Sequence, residues 1–365
     1  MALDDELAAW LRLLLTPGFG RASARRLLAA FGSAEAVWAQ PDPAWQAVLG
    51  RDAPAAPDDW DAQREAHARW LDTAGHHAIP LGDGRYPAAL LESEDPPLLL
   101  FVLGDPAALN HPRRVAMVGS RNPTAQGADN AHAFAQALAR AGVAVVSGLA
   151  LGVDGAAHQG ALAGAGLTVA VVGTGLDRVY PARHRDLAHR IVASGGAIVS
   201  EYPLGTPPLP AHFPQRNRLI AALGEATLVV EAALQSGSLI TARLAGEMGR
   251  EVMAIPGSIH APQSRGCHAL IRQGAKLVES ANDVLEDLRW AAASTPATAS
   301  EVTPQEPTDE DPLLTQLGHE PVSFDALQAR TGLDTPTLQA RLLDHELEGR
   351  VARLPGGLFQ RRHAA

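Results

Sequence analysis

Chemistry in this 365-residue chain gathers in five short stretches, each following an apolar run. They are Gly119-Ser120-Arg121, the segment from Ser147-Gly148 to Gly152-Val153-Asp154, Gly173-Thr174-Gly175, Ser200-Glu201-Tyr202-Pro203, and Glu231-Ala232 leading to Ser236-Gly237-Ser238-Leu239-Ile240-Thr241. Glycine lets the backbone approach a ligand closely, and turn amides ahead of a helix favour an anion. Arg121, Arg216 and Arg218 add planar guanidinium forks suited to phosphate. Phe213, just before Arg216-Asn217-Arg218, offers a face on which a base can stack, and such a segment serves a single-strand binder or a mononucleotide site.

Other chemistries find less support. Gly173-x-Gly175 lacks the third glycine of a dinucleotide fingerprint, because position 178 is arginine. Asp154 and His158, four apart, have no third ligand and read as hydrogen-bonding groups rather than half a metal site. Ser147 and Ser238 have no activating base nearby in sequence. Glu201 and Glu231 sit at strand ends and suit catalysis or the orientation of arginines and turn amides, the second being favoured. The single cysteine, Cys267, excludes an intrachain disulfide framework and a thiolate-rich metal centre. No catalytic residue, metal or cofactor is expected.

A formal charge of −10 speaks against nucleic acid, but its distribution does not. Residues 1–112 hold 16 acids and 8 bases, residues 113–280 hold 10 acids and 15 bases, and residues 281–365 hold 14 acids and 7 bases. Only the middle is basic, and nearly all of its positive charge is arginine, Lys276 being the sole lysine. An anionic ligand is expected there. The acidic start (Met1-Ala2-Leu3-Asp4-Asp5-Glu6) is unlike a signal peptide and no apolar run approaches a membrane span, so a cytoplasmic protein without membrane contact is expected.

The elements that must position these loops follow from periodicity. From 113 to about 280, candidate strands at 115–119, 143–147, 168–172, 197–200, 227–231, 251–255 and 276–278 alternate with helical patterns near 125–141, 154–164, 184–194, 214–223, 238–249 and 266–273. Such alternation is the sequence form of right-handed βαβ units. The fold class expected is α/β: an extended Rossmann-like, doubly wound, mostly parallel sheet that binds ligands outside the carboxyl ends of its strands. The apolar run 98–103 should join or flank that sheet. Residues 1–85 read as a helical domain in which Thr16-Pro17-Gly18-Phe19-Gly20-Arg21 resembles a helix-hairpin-helix turn, more structural than phosphate-binding given its acidic surroundings. Residues 86–290 form the central domain, 291–312 an acidic disordered linker, and 313–365 a winged helix. In that last unit Leu338, Leu342, Leu343 and Leu347 are placed on one face of the third helix. Asp344, Glu346 and Glu348 make the same helix a poor partner for DNA, and a protein-interaction or regulatory role is favoured.

Taken together, Val-Gly-Ser-Arg-x-Pro-Thr (118–124), Ser-Gly-Leu-Ala-x-Gly-Val-Asp-x-x-Ala-His (147–158), Gly-x-Gly-Leu-Asp-x-x-Tyr-Pro (173–181), Ser-Glu-Tyr-Pro (200–203), Phe-Pro-x-Arg-Asn-Arg-x-Ile-Ala (213–221) and Glu-Ala-x-x-x-Ser-Gly-Ser-Leu-Ile-Thr-Ala (231–242) resemble the DNA-processing protein A family (DprA/Smf). The resemblance implies a non-enzymatic homodimer that binds incoming single-stranded DNA during natural transformation. It implies that the protein loads the RecA recombinase and helps displace single-strand-binding protein. Gly119, Ser120 and Arg121 match the family's phosphate loop. Phe213, Arg216, Asn217 and Arg218 match its basic-aromatic segment, and Gly148, Ser236, Gly237, Ser238 and Thr241 complete the expected DNA-binding set. The family often places a lysine before Phe213, and Pro207–His212 has none. The alternative is a nucleotide-processing, phosphoribohydrolase-like enzyme using the same strand-end phosphate site. That group's Pro-Gly-Gly-x-Gly-Thr-x-x-Glu stretch is absent here, with 231–242 in its place.

Overall fold

A computed structural model describes residues 3–290, 311–318, 321–354 and 356–361. Five helices open the chain: α1 (Asp5–Leu15), α2 (Arg21–Phe31), α3 (Ala34–Trp38), α4 (Asp42–Leu49) and α5 (Trp60–Leu71). Asp4 caps α1 by accepting the Leu7 amide at 2.7 Å. Phe19, in the turn between α1 and α2, is buried against Trp45 with ring centroids 5.9 Å apart.

Nine strands then form one sheet: β1 (His76–Pro80), β2 (Leu99–Gly104), β3 (Arg114–Val118), β4 (Ala144–Ser147), β5 (Thr168–Val171), β6 (Ala197–Ser200), β7 (Ala226–Val229), β8 (Glu251–Ala254) and β9 (Lys276–Leu277). Their order is β1-β2-β6-β5-β4-β3-β7-β8-β9. Strands β3 to β9 run parallel, while β2 pairs antiparallel with both β1 and β6. The connecting helices are α6 (Ala88–Leu91), α7 (Ala125–Arg140), α8 (Val153–Ala163), α9 (Arg185–Ala193), α10 (His212–Leu223), α11 (Ser238–Glu247), α12 (Arg265–Arg272) and α13 (Ala281–Asp287). The expected α/β class and the order of its elements are borne out. Strand β1 departs from the helical reading of residues 1–85: pairing with β2, not local pattern, makes it a strand.

Burial explains the near-continuous apolar strands. One face of the sheet packs Val118, Val229 and Ala254 under Leu219 and Ile220 of α10, Ala242 of α11 and Cys267 of α12. The other packs Met117, Val145 and Leu228 under Phe134 and Leu138 of α7 and Val153 and Ala157 of α8. A parallel sheet covered on both faces keeps polar residues out of its strand interiors. The polar residues that matter therefore appear at the strand ends.

After β3 the chain steps through β4, β5 and β6 in one direction, then returns through α10 to β7 on the other side of β3. The topological switch point lies between β3 and β7, where open α/β sheets bind their ligands.

The C-terminal unit comprises α14 (Pro312–Leu317), β10 (Val322–Ser323), α15 (Phe324–Thr331), α16 (Thr335–Leu347), β11 (Val351–Leu354) and β12 (Leu358–Arg361), with sheet order β10-β12-β11. Its core includes Leu313, Leu338, Leu342 and Phe359. The expected inner face of α16 needs correction, because Leu343 and Leu347 are 55% and 79% exposed and His345 is buried instead. The expected linker at 291–312 falls, over 291–310, outside the described residues. Among the described residues no helix is long and apolar enough to cross a membrane, and no cluster of His, Cys, Asp and Glu could hold a metal ion.

Candidate nucleic-acid interface

Outside the carboxyl ends of β3 and β7 lies a cleft of roughly 700 Å³. Its lining includes Gly119, Ser120 and Arg121 after β3, Phe213, Arg216 and Asn217 on α10, and Ser236, Gly237, Ser238 and Thr241 at the start of α11. A side pocket of roughly 90 Å³ adds Gly148 and Leu151 and shares Arg121, Tyr180, Phe213 and Arg216 with the cleft. Eleven of the twelve residues expected from the sequence thus converge on one place. Arg218 does not.

The β3 loop is held from behind. The Ser120 amide donates to the Glu231 carbonyl at 2.7 Å, and the Ser120 carbonyl accepts the Val153 amide at 3.1 Å. Any side chain at position 119 would run into Val153 and the Glu231 carbonyl, so only glycine fits there. Arg121 is exposed, with its guanidinium carbon 5.3 Å from the Phe213 ring centroid. Among the described residues no carboxylate pairs with it. Tyr180 lies on Phe213, ring centroids 5.8 Å apart. The result is a row of cation, ring and ring along the cleft wall, within the usual range for such contacts.

Arg216 differs in kind from Arg121. It is 4% exposed and its Nη2 donates to the Gly148 carbonyl at 3.1 Å. Burial pulls its guanidinium down to about 10, against the attraction of Asp154. Asp154 is itself buried and accepts the amides of Gly148 at 3.1 Å and Ala150 at 3.3 Å. Burial pushes its carboxyl above the usual range, opposed first by Arg216. A Cβ at 148 would overlap the Arg216 guanidinium, so Gly148 is the backbone across which the two charges face each other. This buried pair fixes the floor of the cleft.

Arg218 projects away from the cleft. It pairs with Glu201 and donates to the Asp95 carbonyl at 2.7 Å. Arg21, from the first turn of α2, reaches the same Glu201 at 3.0 Å and bonds Asp95 at 2.7 Å, and Arg25 also binds Asp95. The expected phosphate ligand is thus a tie between the N-terminal helices and α10. Burial pushes the Glu201 carboxyl up while the two arginines oppose it.

Several of the polar groups weighed from sequence are engaged within the fold. Glu231 accepts the Thr124 hydroxyl at 2.6 Å and the Thr124 amide at 2.9 Å, securing the N-cap of α7. Ser147 donates to the Met117 carbonyl at 2.6 Å. His158 and Asp154 do not meet. His158 Nδ1 contacts the Thr168 hydroxyl at 2.7 Å, and that hydroxyl donates to the Val145 carbonyl at 2.8 Å. Thr168 must therefore accept from His158, which places the ring proton on Nδ1. Burial holds this imidazole down at about 3, so it is neutral.

At α11 the first amides are partly committed: Leu239 donates to the Ser236 carbonyl and Ile240 to the Gly237 carbonyl, each at 3.1 Å. The Ser236 and Ser238 hydroxyls pair at 2.7 Å, and Thr241 is buried. This helix start thus presents hydroxyls and its dipole rather than a crown of open amides. The Arg121 amide, by contrast, makes no hydrogen bond among the described residues. Tyr180 was not among the expected site residues. Its signal was the Tyr180-Pro181 dipeptide closing the loop after β5.

The sequence profile described as DNA recombination-mediator protein A matches residues 77–289, more than half of the chain. The chain belongs to that family. Two further profiles, a DprA-like N-terminal HHH domain and a DprA winged helix domain, match residues 4–68 and 294–357. Protein Smf of Escherichia coli is 44% identical over 306 residues, covering 82% of this chain and 81% of that protein. The DNA processing protein DprA of Streptococcus pneumoniae is 48% identical over 208 residues, covering 57% of this chain and 73% of that protein. Among solved structures, DNA processing protein A from Streptococcus pneumoniae aligns with TM-score 0.64 and 36% identity, over 79% of this chain and 99% of that one. DNA processing protein A from Helicobacter pylori, described for its unique single-stranded DNA binding mode, aligns with TM-score 0.53 and 31% identity, over 59% of this chain and 95% of that one.

Proposed function

We propose that the cleft between β3, β7 and the start of α10 binds single-stranded DNA. Gly119, Ser120 and Arg121, with the hydroxyls of Ser236 and Ser238, meet phosphates, and Phe213 and Tyr180 meet bases. The observation that carries this is Arg121: exposed, without a carboxylate partner among the described residues, and stacked over Phe213. A cation beside a ring pair is what a single strand of any sequence requires. Arg216, buried behind Gly148, shapes the floor, and Asn217 tethers α10 to the α11 turn by donating to the Gly237 carbonyl at 3.4 Å. The single-strand binding described for the Helicobacter pylori relative supports the same use of the fold.

In the larger process, family membership supports a homodimer that protects an incoming strand during natural transformation, loads RecA recombinase onto it and helps displace single-strand-binding protein. We assign no bond-breaking step. An enzyme of the phosphoribohydrolase-like kind needs a free carboxylate at this sheet edge. Here Glu231 is engaged by Thr124, Glu201 by Arg218 and Arg21, and Asp154 by two amides.

A mobility shift with a homothymidine strand at several salt concentrations tests the proposal. Binding weakens steeply as salt rises, and duplex binds less well. Arg121→Ala lowers affinity for every sequence alike and reduces the salt slope by about 0.7, one phosphate contact on a single strand. Its melting temperature stays with the parent, because the side chain is exposed. Unchanged affinity and slope would sink the assignment.

A further inference from the structure

Nine large apolar side chains are exposed among the described residues. Four of them surround the mouth of the cleft. Tyr180 and Leu151 line it or its side pocket, Leu209 sits between the lining residues Pro208 and Pro210, and Leu234 between Ala233 and Gln235. Single exposed leucines need no explanation, but an apolar rim round a basic opening marks a surface that another body covers.

Two more of the nine, Leu343 and Leu347, lie on α16. With Pro336 and Ala340, both exposed, they recur at intervals of four, three and four, which places them along one outer stripe of the helix. The stripe is about 16 Å long at 1.5 Å per residue. Asp344 and Glu348 flank it, both exposed. The inner face of the same helix is already occupied by the winged-helix core through Leu338 and Leu342. α16 therefore carries two apolar faces, and only one is covered.

We propose that α16 docks on the rim of the cleft in its own chain and covers it until a DNA strand displaces it. This rests on the cleft being the DNA site. Charge selects the occupant: Asp344 borders the stripe without an ion pair among the described residues, Glu348 borders it while shared with Arg350, and the cleft mouth carries Arg121 within the only basic segment of the chain, 113–280. DNA is a poor occupant of α16 for the same reason. A second α16 would set acid against acid. Connection permits the contact, since the twenty residues between Trp290 and Asp311 bound the separation of those two at about 70 Å. Tethering supplies an effective concentration on the order of millimolar, so a weak contact suffices to close the cleft much of the time. A cleft closed in half to nine-tenths of molecules weakens apparent DNA affinity about two- to ten-fold.

Cys267 is buried and is the only cysteine, so introduced pairs report cleanly. In the full chain carrying L234C and L347C, mild oxidation is expected to form an intrachain disulfide faster than in an L91C/L347C control, in which Leu91 lies outside the cleft lining. Added homothymidine strand suppresses it. In a separate chain, L343S/L347S removes the stripe without changing charge and is expected to tighten single-strand binding two- to ten-fold. An intrachain rate no higher than the control, a disulfide only between chains, or unchanged affinity in L343S/L347S overturns the proposal. If the intrachain disulfide forms but the parent chain binds no single strand, the docking stands and the DNA reading of the cleft falls.

Discussion

Replacing Arg216 separates a side chain that touches DNA from one that builds the place where DNA is touched. Arg216→Ala removes the Gly148 hydrogen bond and the charge facing Asp154 across the Gly148 backbone. Removing one member of a buried charge pair costs about 3–5 kcal/mol. The lower end applies here, since Asp154 keeps its two amide bonds to Gly148 and Ala150. A loss of about 3 kcal/mol lowers the melting temperature by roughly 6–12 °C for a domain of this size. The deficit carries a pH signature. The Asp154 carboxyl is already raised by burial, and losing Arg216, the leading opposing influence, raises it further. A carboxyl whose folded pKa lies above its unfolded value is costly when ionised. The penalty is absent below the ordinary carboxylate range and grows as pH rises toward the folded value, so the gap between variant and parent narrows in acid. Asp154→Asn added to Arg216→Ala keeps an acceptor for the amides while removing the unpaired charge, and recovers at least half of the lost stability. Thermal unfolding of parent, single and double variants at pH 5 and pH 7 reads all of this. Should Arg216→Ala melt within about 2 °C of the parent and yet lose single-strand affinity, Arg216 is a phosphate ligand and the buried-floor argument is wrong.

Two further outcomes follow from the same geometry. His158 is neutral with its proton on Nδ1, and its buried Nε2 has no acceptor, so a second proton has nowhere to bond. Because the folded pKa, about 3, lies below the unfolded value of 6.5, stability is lost as pH falls through that window. At pH 5 the loss is about 2 kcal/mol, and His158→Gln flattens the acid limb of a denaturant-midpoint curve taken from pH 7 to pH 4.5. At the other tie, Glu201→Ala leaves Arg21 and Arg218 facing each other without their shared carboxylate and costs about 3 kcal/mol, whereas Arg21→Ala, removing a half-exposed partner, costs about 1 kcal/mol. Equal denaturant midpoints for these two variants contradict the central role given to Glu201, and faster hydrogen exchange confined to α2 in both locates the loosened contact.

What could be read beforehand, and what could not, divides by the range of the interaction. The strand-helix alternation of residues 113–280 is local, and so are the glycine turns, which is why the sheet and the switch-point cleft were both legible. β1 was not, since His76-His77-Ala78-Ile79-Pro80 becomes a strand only by pairing with Leu99–Leu103. The favoured use of Glu201, orienting an arginine, holds for Arg218, but its second partner Arg21, 180 positions away in the chain, was not legible. Arg216 and Arg218 are a different case, because the information that separates them is local. Residues two apart on a helix point in nearly opposite directions, whereas residues three and four apart share a face. Phe213, Arg216 and Asn217 therefore had to lie together on α10, with Arg218 behind them. The same arithmetic divides α16, setting Leu338, Leu342 and His345 inward and Leu343 and Leu347 outward. In both helices residues close in sequence fall on opposite faces. Helical geometry instead makes each helix two-sided: α10 joins the cleft to the N-terminal domain, and α16 packs one face on the winged-helix core and leaves the other for the cleft rim on which it is proposed to dock.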